Sequence, residues 1–355
     1  MLRTPAAFRR LTWAMLAVTI LVVLWGAFVR ASGSGAGCGD HWPLCNGEVI
    51  PRAEAIETVI EFTHRVTSGL VMLMALGVFI VSRRAFPTTA HPRGSSGAAV
   101  RRYAGWALFF MGTEAALGAA LVLLEYVAYN VSVARGYWMA GHLVNTFLLL
   151  GAQALTLYAA YGGHRPRIRS ALDAGLVGTL VATTILCASG AVAALGDTLT
   201  IGGGIDPADD PIVATLVGLR IVHPTLACFV VLLVLWAVWK VNARLEGRRD
   251  TQGTLRKHIR TTQFLGGAVV GLYLMQMGIG VVNVALKAPV WIQIVHLAGS
   301  DAVWLAQVWF VARLLDPHSP SSFPPPSDTV EDATGQVPAA PEKPAPSVPR
   351  PLEVA

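Results

Sequence analysis

Residues 142–153 read HLVNTFLLLGAQ and residues 296–307 read HLAGSDAVWLAQ. Each stretch opens on a histidine and closes on Ala-Gln at the same spacing, inside a long apolar run. A weaker echo joins EFTHRVTSG (residues 61–69) to LRIVHPTLA (residues 219–227). The second half of the chain therefore reads as a copy of the first.

The runs around these motifs are those of a membrane protein. Charged residues make up 14% of the 355 residues, against roughly 25% in a soluble domain, and mean hydropathy is strongly positive. A spanning helix needs about 20 mostly apolar residues. Eight runs qualify: 11–29, 63–81, 103–124, 138–161, 171–195, 212–239, 262–286 and 290–314. The sixth is over-long and is expected to tilt or protrude. The first follows Arg3, Arg9 and Arg10, as a signal peptide would, but it is long enough to span and no small-residue cleavage site follows, so it reads as a retained helix. Four runs per copy return the chain to its starting side, so the repeat is parallel, with its axis along the membrane normal. The expected fold is an all-α polytopic membrane protein of eight transmembrane helices in two pseudo-symmetric parallel four-helix bundles. The halves are 1–162 and 163–315. A Pro- and Ser-rich tail, 316–355, is expected to be disordered and cytoplasmic.

Basic residues crowd the N-terminus and every second loop, from Arg83 to Arg102, from Arg165 to Arg169 and from Lys240 to Arg260. The positive-inside rule makes that side cytoplasmic, with both termini there, in a multi-pass protein of the cell (plasma) membrane. The basic balance thus reads as topology, with the lipid bilayer as surroundings and no nucleic-acid partner. The alternate loops are poor in Lys and Arg, and the loop from Asp197 to Asp210 is acidic.

Four of nine histidines lie in apolar runs: His64, His142, His223 and His296. Ionisable residues inside a membrane are costly and usually functional. These four sit at repeat-equivalent positions in the first half of each even-numbered run, toward the outer leaflet. Two facing imidazoles in each half suit a six-coordinate haem iron in a bundle core. No C-x-x-C-H occurs, so covalent haem is not expected. The halves differ at one place. Glu61 lies three residues before His64, whereas Arg220 lies three residues before His223, and residues three apart share a helix face. The first half pairs its histidine with a carboxylate, or ties that carboxylate to Arg65. The second offers a guanidinium suited to a haem propionate. One site reads as chemical, the other as holding haem for electron transfer or structure. Cys187 and Cys228 fall in apolar runs and read as inert core residues.

GSGAGCGDHWPLCNG (residues 33–47) follows the first run on the outer side. Half a zinc site, a redox pair and a disulfide closing a short loop all fit its two cysteines; the lack of a second thiolate pair weighs against zinc.

Taken together, E-x-x-H-R at residues 61–65, GHLVNT around His142, RIVHP around His223, VHLAGSD around His296 and the Cys/Trp-Pro-Leu-Cys loop resemble the haem A synthase family. The resemblance covers roughly residues 11–314. It implies an oxidoreductase of eight helices in two four-helix halves, which oxidises a ring methyl of haem o to the formyl group of haem a, used in cytochrome oxidase assembly. It implies that His64 and His142 flank the substrate haem with Glu61 beside it, and that His223 and His296 ligate a bound haem b. Arg220 and Arg65 would bind propionates, and Cys38 and Cys45 would form a disulfide that is either a staple or redox-active. The implied partners are haem o and haem a, haem o synthase, a thiol oxidoreductase and oxidase assembly factors, with a homo-oligomer allowed. The loop at 196–211 holds no cysteine, unlike that of some members, which leaves a thiol relay between the halves without its second pair. Two rivals fit parts of the pattern. A diheme cytochrome b explains the histidines but not the Glu61/Arg220 asymmetry. A haem or thiol transporter explains the repeat but lacks matched Gly/Pro-broken helices.

Overall fold

The computed structural model describes residues 4–52, 55–246 and 253–319. The tail expected at 316–355 lies outside the described residues from residue 320 onward. All regular structure among the described residues is helical: α1 Pro5–Ala31, α2 Ile56–Ala85, α3 Ser96–Leu123, α4 Val133–Ala160, α5 Ala171–Asp197, α6 Pro211–Gly218, α7 Val222–Glu246, α8 Thr254–Ala285 and α9 Val290–Leu315, with short 3-10 and π turns. Among the described residues, eight spans are long and apolar enough to cross a membrane, α6 and α7 together making the sixth. The chain is a multi-pass membrane protein.

Local chemistry explains the ends. Thr4, Ser95, Ser132, Ser170 and Asp210 each accept a backbone N–H from the first turn of α1, α3, α4, α5 and α6, satisfying donors that a helix start leaves orphaned. α2 begins several residues before its apolar run, because its first turn, IETV, is polar on one side. This sets Glu61 and His64 within the helix.

The sixth run does not simply tilt. It breaks at a 3-10 turn, Leu219–Ile221, and restarts as α7 just before His223. Pro224 has no N–H to offer the carbonyl of Arg220 and is tolerated only in a first turn. Its counterpart α2 runs unbroken past His64.

α1 packs on α2 and α4, and α3 on α2 and α4; α5 packs on α7 and α9, and α8 on α7 and α9. α4, the most buried span, also meets α5 and α9. The Ala-Gln ends of the repeated stretches each bond a threonine of the first span of their half. Gln153 Nε2 donates to Thr19 Oγ1 on α1 at 3.0 Å, and Gln307 Oε1 accepts from Thr183 Oγ1 on α5 at 3.0 Å. Buried polar groups need such partners, so Gln153 fixes α4 against α1, and Gln307, whose Oε1 also accepts from Tyr273 of α8 at 2.8 Å, fixes α9 against α5 and α8. Between α4 and α9, Trp304 Nε1 donates to the Phe147 carbonyl at 2.7 Å. Arg30 of α1 reaches the Ala194 carbonyl, Thr198 and Gln293 at 2.6–2.9 Å.

The free cysteines correct one expectation. Cys228 is exposed on the outside of α7, not in a core, and Cys187 is half-buried. Lipid is as apolar as a protein interior, so hydropathy does not separate the two environments.

Candidate functional site

His223, in the first turn of α7, and His296, on α9, face one another with ring centroids 6.2 Å apart. Two metal–imidazole bonds of about 2 Å each, plus about 1 Å from each nitrogen to its ring centre, sum to about 6 Å. The spacing fits one metal ion held between the rings. Both rings are held from behind. His223 Nδ1 donates to the Leu186 carbonyl at 3.1 Å and lies 3.0 Å from Ser189 Oγ. An Nδ1–H so engaged leaves Nε2 as the free ligand atom. His296 Nδ1 lies 3.1 Å from Gln276 Nε2 of α8, which also donates to the His296 carbonyl (2.6 Å) and to Ser300 Oγ (2.7 Å).

The other two imidazoles are held differently. His64 on α2 and His142 on α4 lie within electrostatic reach of each other. Their Nδ1 atoms are buried and have no hydrogen-bond partner. The Glu114 carboxylate of α3 faces His142 Nδ1 at 3.7 Å, beyond hydrogen-bond distance. Its oxygens accept from Asn145 Nδ2 (2.6 Å) and Thr146 Oγ1 (2.5 Å) on α4.

Each histidine also lies against a glycine of the preceding span, a feature that sequence reading passed over. A β-carbon at Gly26, Gly190 or Gly280 would come within 2.8, 2.9 or 3.2 Å of Cε1 of His64, His223 or His296; at Gly118 the distance to His142 Cε1 is 3.9 Å. The first two leave almost no room for any side chain. Gly190→Val is expected to push the His223 ring out of line and to lower the metal or haem content of the purified protein. Spectroscopic quantification against wild type checks this, and unchanged content would contradict the packing argument.

The cysteine-containing loop is tied to the same helix as His64. Cys38 is disulfide-bonded to Cys45, and both are buried. Glu61, also buried, accepts the Cys38 backbone N–H at 2.8 Å through Oε2. Arg65 pairs with Glu61 Oε1 through Nε and Nη2, and its Nη1 donates to the carbonyls of His41 (2.6 Å) and Leu44 (2.7 Å). All three guanidinium nitrogens are thus engaged by the loop or by Glu61. Thr58 Oγ1 donates to the Gly37 carbonyl at 2.7 Å. Gly37 lies so close to the α2 backbone that a β-carbon there would be 2.3 Å from the Glu57 carbonyl. The E-x-x-H-R motif therefore carries the loop anchors on either side of its histidine. At the corresponding place on the other pair, Arg220 Nη2 contacts Asp197 Oδ1 (2.6 Å) and Thr200 Oγ1 (2.8 Å), while its Nε is buried without a partner.

Residues 9–308 match the model of the COX15-CtaA family, described as cytochrome oxidase assembly proteins. A Thermus thermophilus protein named protoheme IX farnesyltransferase is 44% identical over 326 residues, 89% of this chain and 50% of that relative. The chain thus spans about half the length of the Thermus relatives it matches. The Symbiobacterium thermophilum protein named heme A synthase is 32% identical over 257 residues, 69% of this chain and 78% of the relative. An Alkalihalophilus pseudofirmus protein of the same name is 58% identical over 57 residues, 16% of this chain and 19% of the relative.

Proposed function

Because the chain belongs to the COX15-CtaA family of cytochrome oxidase assembly proteins, we propose that it is a haem A synthase that oxidises a ring methyl of haem o to the formyl group of haem a. The observation that carries this reading is the unequal support of its two histidine pairs. His223 and His296 are 6.2 Å apart, and His223 Nδ1, by donating to the Leu186 carbonyl, leaves Nε2 free, which suits a resident haem b. His64 and His142 have no such bonds, which suits a haem that must enter as substrate and leave as product. Outer-shell partners that orient a ligating histidine typically change metal affinity 10–100-fold.

In this reading the two four-helix halves each hold one haem, in a plasma-membrane protein with both termini in the cytoplasm. Haem b, when bound, supplies electron transfer. The remaining work belongs to this chain's residues. Arg220 would pair with a haem propionate, with Asp197 at 2.6 Å from its Nη2 as counter-charge. Four of the five Arg65 N–H donors are taken by Glu61 and the loop carbonyls, so Arg65 fixes the loop and keeps one Nη2 N–H for a propionate. Glu61 sits one turn from His64, buried, between Arg65 and the Cys38 amide. It is placed to take a proton, or to balance positive charge developing at the substrate, while linking that site to the disulfide. The disulfide itself either holds the loop or exchanges with a thiol oxidoreductase. Haem o synthase is the fitting supplier of substrate, and a terminal oxidase under assembly the user of product.

The farnesyltransferase name borne by the Thermus relatives raises a second reading, prenyl transfer. Half of each of those relatives lies outside the match. Prenyl diphosphate chemistry calls for a hard cation on carboxylate oxygens. Among the described residues, the one three-residue cluster able to hold a metal is His164, Asp316 and His318, whose two imidazoles suit softer metals. The histidine pairs favour oxidation.

Glu61→Gln keeps the size of the side chain and an acceptor for the Cys38 amide but removes the charge. It is expected to retain haem b and the disulfide and to lower haem a formation by roughly tenfold or more, a floor beneath the usual acid–base contribution of about 10²–10⁴. Accumulated haem o supports the role. Haem a at the wild-type level would reduce Glu61 to an anchor of the loop.

A further inference from the structure

We propose that Glu114 is a positioning residue for His142 that makes the iron of the first histidine pair more electron-rich than that of the second. The inference rests on the haem reading above. The two repeats match in sequence register around these residues. Glu114 lies four residues before Gly118, the glycine facing His142; Gln276 lies four residues before Gly280, the glycine facing His296. Thr146 and Ser300 each follow their histidine by four residues, and each hydroxyl oxygen lies 3.0 Å from that histidine's carbonyl. The two sites thus share one frame: histidine, hydroxyl, glycine, and a side chain from the third span of each repeat reaching the back of the ring. They differ in that side chain. A carboxylate stands behind His142, and a neutral amide stands behind His296.

The surrounding bonds follow from this difference. The Thr146 hydroxyl donates to Glu114 Oε1 at 2.5 Å, whereas the Ser300 hydroxyl accepts from Gln276 Nε2 at 2.7 Å. A carboxylate is acceptor-only and an amide nitrogen donor-only. Asn145 completes the acceptor's coordination by donating to Oε2 at 2.6 Å and to the Phe110 carbonyl at 2.9 Å, while its Oδ1 accepts from Thr113 at 2.7 Å. Glycine, Gly299, stands at Asn145's place in the second repeat. These bonds hold Glu114 with one oxygen toward His142 Nδ1, an atom with no other partner. A ring shift of about 0.5–1 Å brings the 3.7 Å contact to hydrogen-bond length. A carboxylate receiving Nδ1–H raises the basicity of the imidazole as a ligand and adds negative charge behind it. Both effects favour the oxidised iron and lower its reduction potential. An electron-rich centre on the substrate side and a less electron-rich one on the resident side give electrons a direction from the first pair to the second.

Glu114 also bridges α3 to α4, and a bridge alone would alter stability without altering potential. The test is redox potentiometry of the intact purified protein with haem on both pairs, followed by visible and paramagnetic-resonance spectra of each haem. Glu114→Gln is expected to raise the potential of the first-pair haem and leave the second unmoved. Gln276→Glu is expected to lower the potential of the second-pair haem and leave the first unmoved. An unmoved first-pair potential in Glu114→Gln with both haems present overturns the inference. Should that variant lose its first-pair haem, an unmoved second-pair potential in Gln276→Glu overturns it. A wild-type protein that takes up no haem on the first pair even when supplied with haem o fails the haem reading and the inference with it, and a simple count of haem per chain separates that failure from the others.

Discussion

Replacing His223 or His296 with alanine is expected to strip most of the haem b from the purified protein. Each ring is the one ligand its helix offers, and each is held in line from behind, His223 by the Leu186 carbonyl and Ser189, His296 by Gln276. A cavity at either position leaves the iron with one protein ligand and the opposite ring without its partner. Neither change touches the Gln307–Thr183 or Trp304–Phe147 bonds that fix α9, so the helices are expected to stay packed. Haem quantification per chain, alongside chromatographic homogeneity, checks the result. Full haem b in both variants would remove the second pair from the ligand set.

His64→Ala is expected to end detectable haem a formation while leaving haem b close to its wild-type amount. The side chain lies one turn from Glu61, against Gly26, with Nδ1 unbonded, so its loss empties a ligand position without cutting a hydrogen-bond network. The loop anchors are not on this residue: Glu61 still accepts the Cys38 N–H, and Arg65 still donates to the His41 and Leu44 carbonyls. Analysis of extracted haems from cells supplied with haem o reads both quantities in one sample. Continued haem a formation would break the assignment of the substrate to the first pair. Concurrent loss of haem b would mean that the two pairs are not independent.

The number and order of spans were legible because apolar runs of spanning length have few alternatives in water-soluble folds. The four histidines were legible for a related reason, since a polar ring in such a run needs an explanation. The break before His223 was marked by Pro224, but a reading by run length alone merges the two pieces. The placement of Cys228 had no sequence signal, because lipid and core ask for the same residues. The attachment of Arg65 to the His41 and Leu44 carbonyls was also hidden, since backbone acceptors carry no side-chain signature. The Glu114/Gln276 pair became visible only with the register between α3 and α8, which share little beyond an acid or amide four residues before a glycine. The glycines behind the histidines were present in the sequence, yet a glycine in an apolar helix has many uses, and only the ring against it shows which applies.

The most direct test of the account is chromatography of the haems extracted from the intact chain after co-expression with a supply of haem o. The account predicts haem a together with haem b from the wild-type protein. Haem b alone, with the supplied haem o recovered unchanged, would contradict it and leave a two-haem electron carrier in its place.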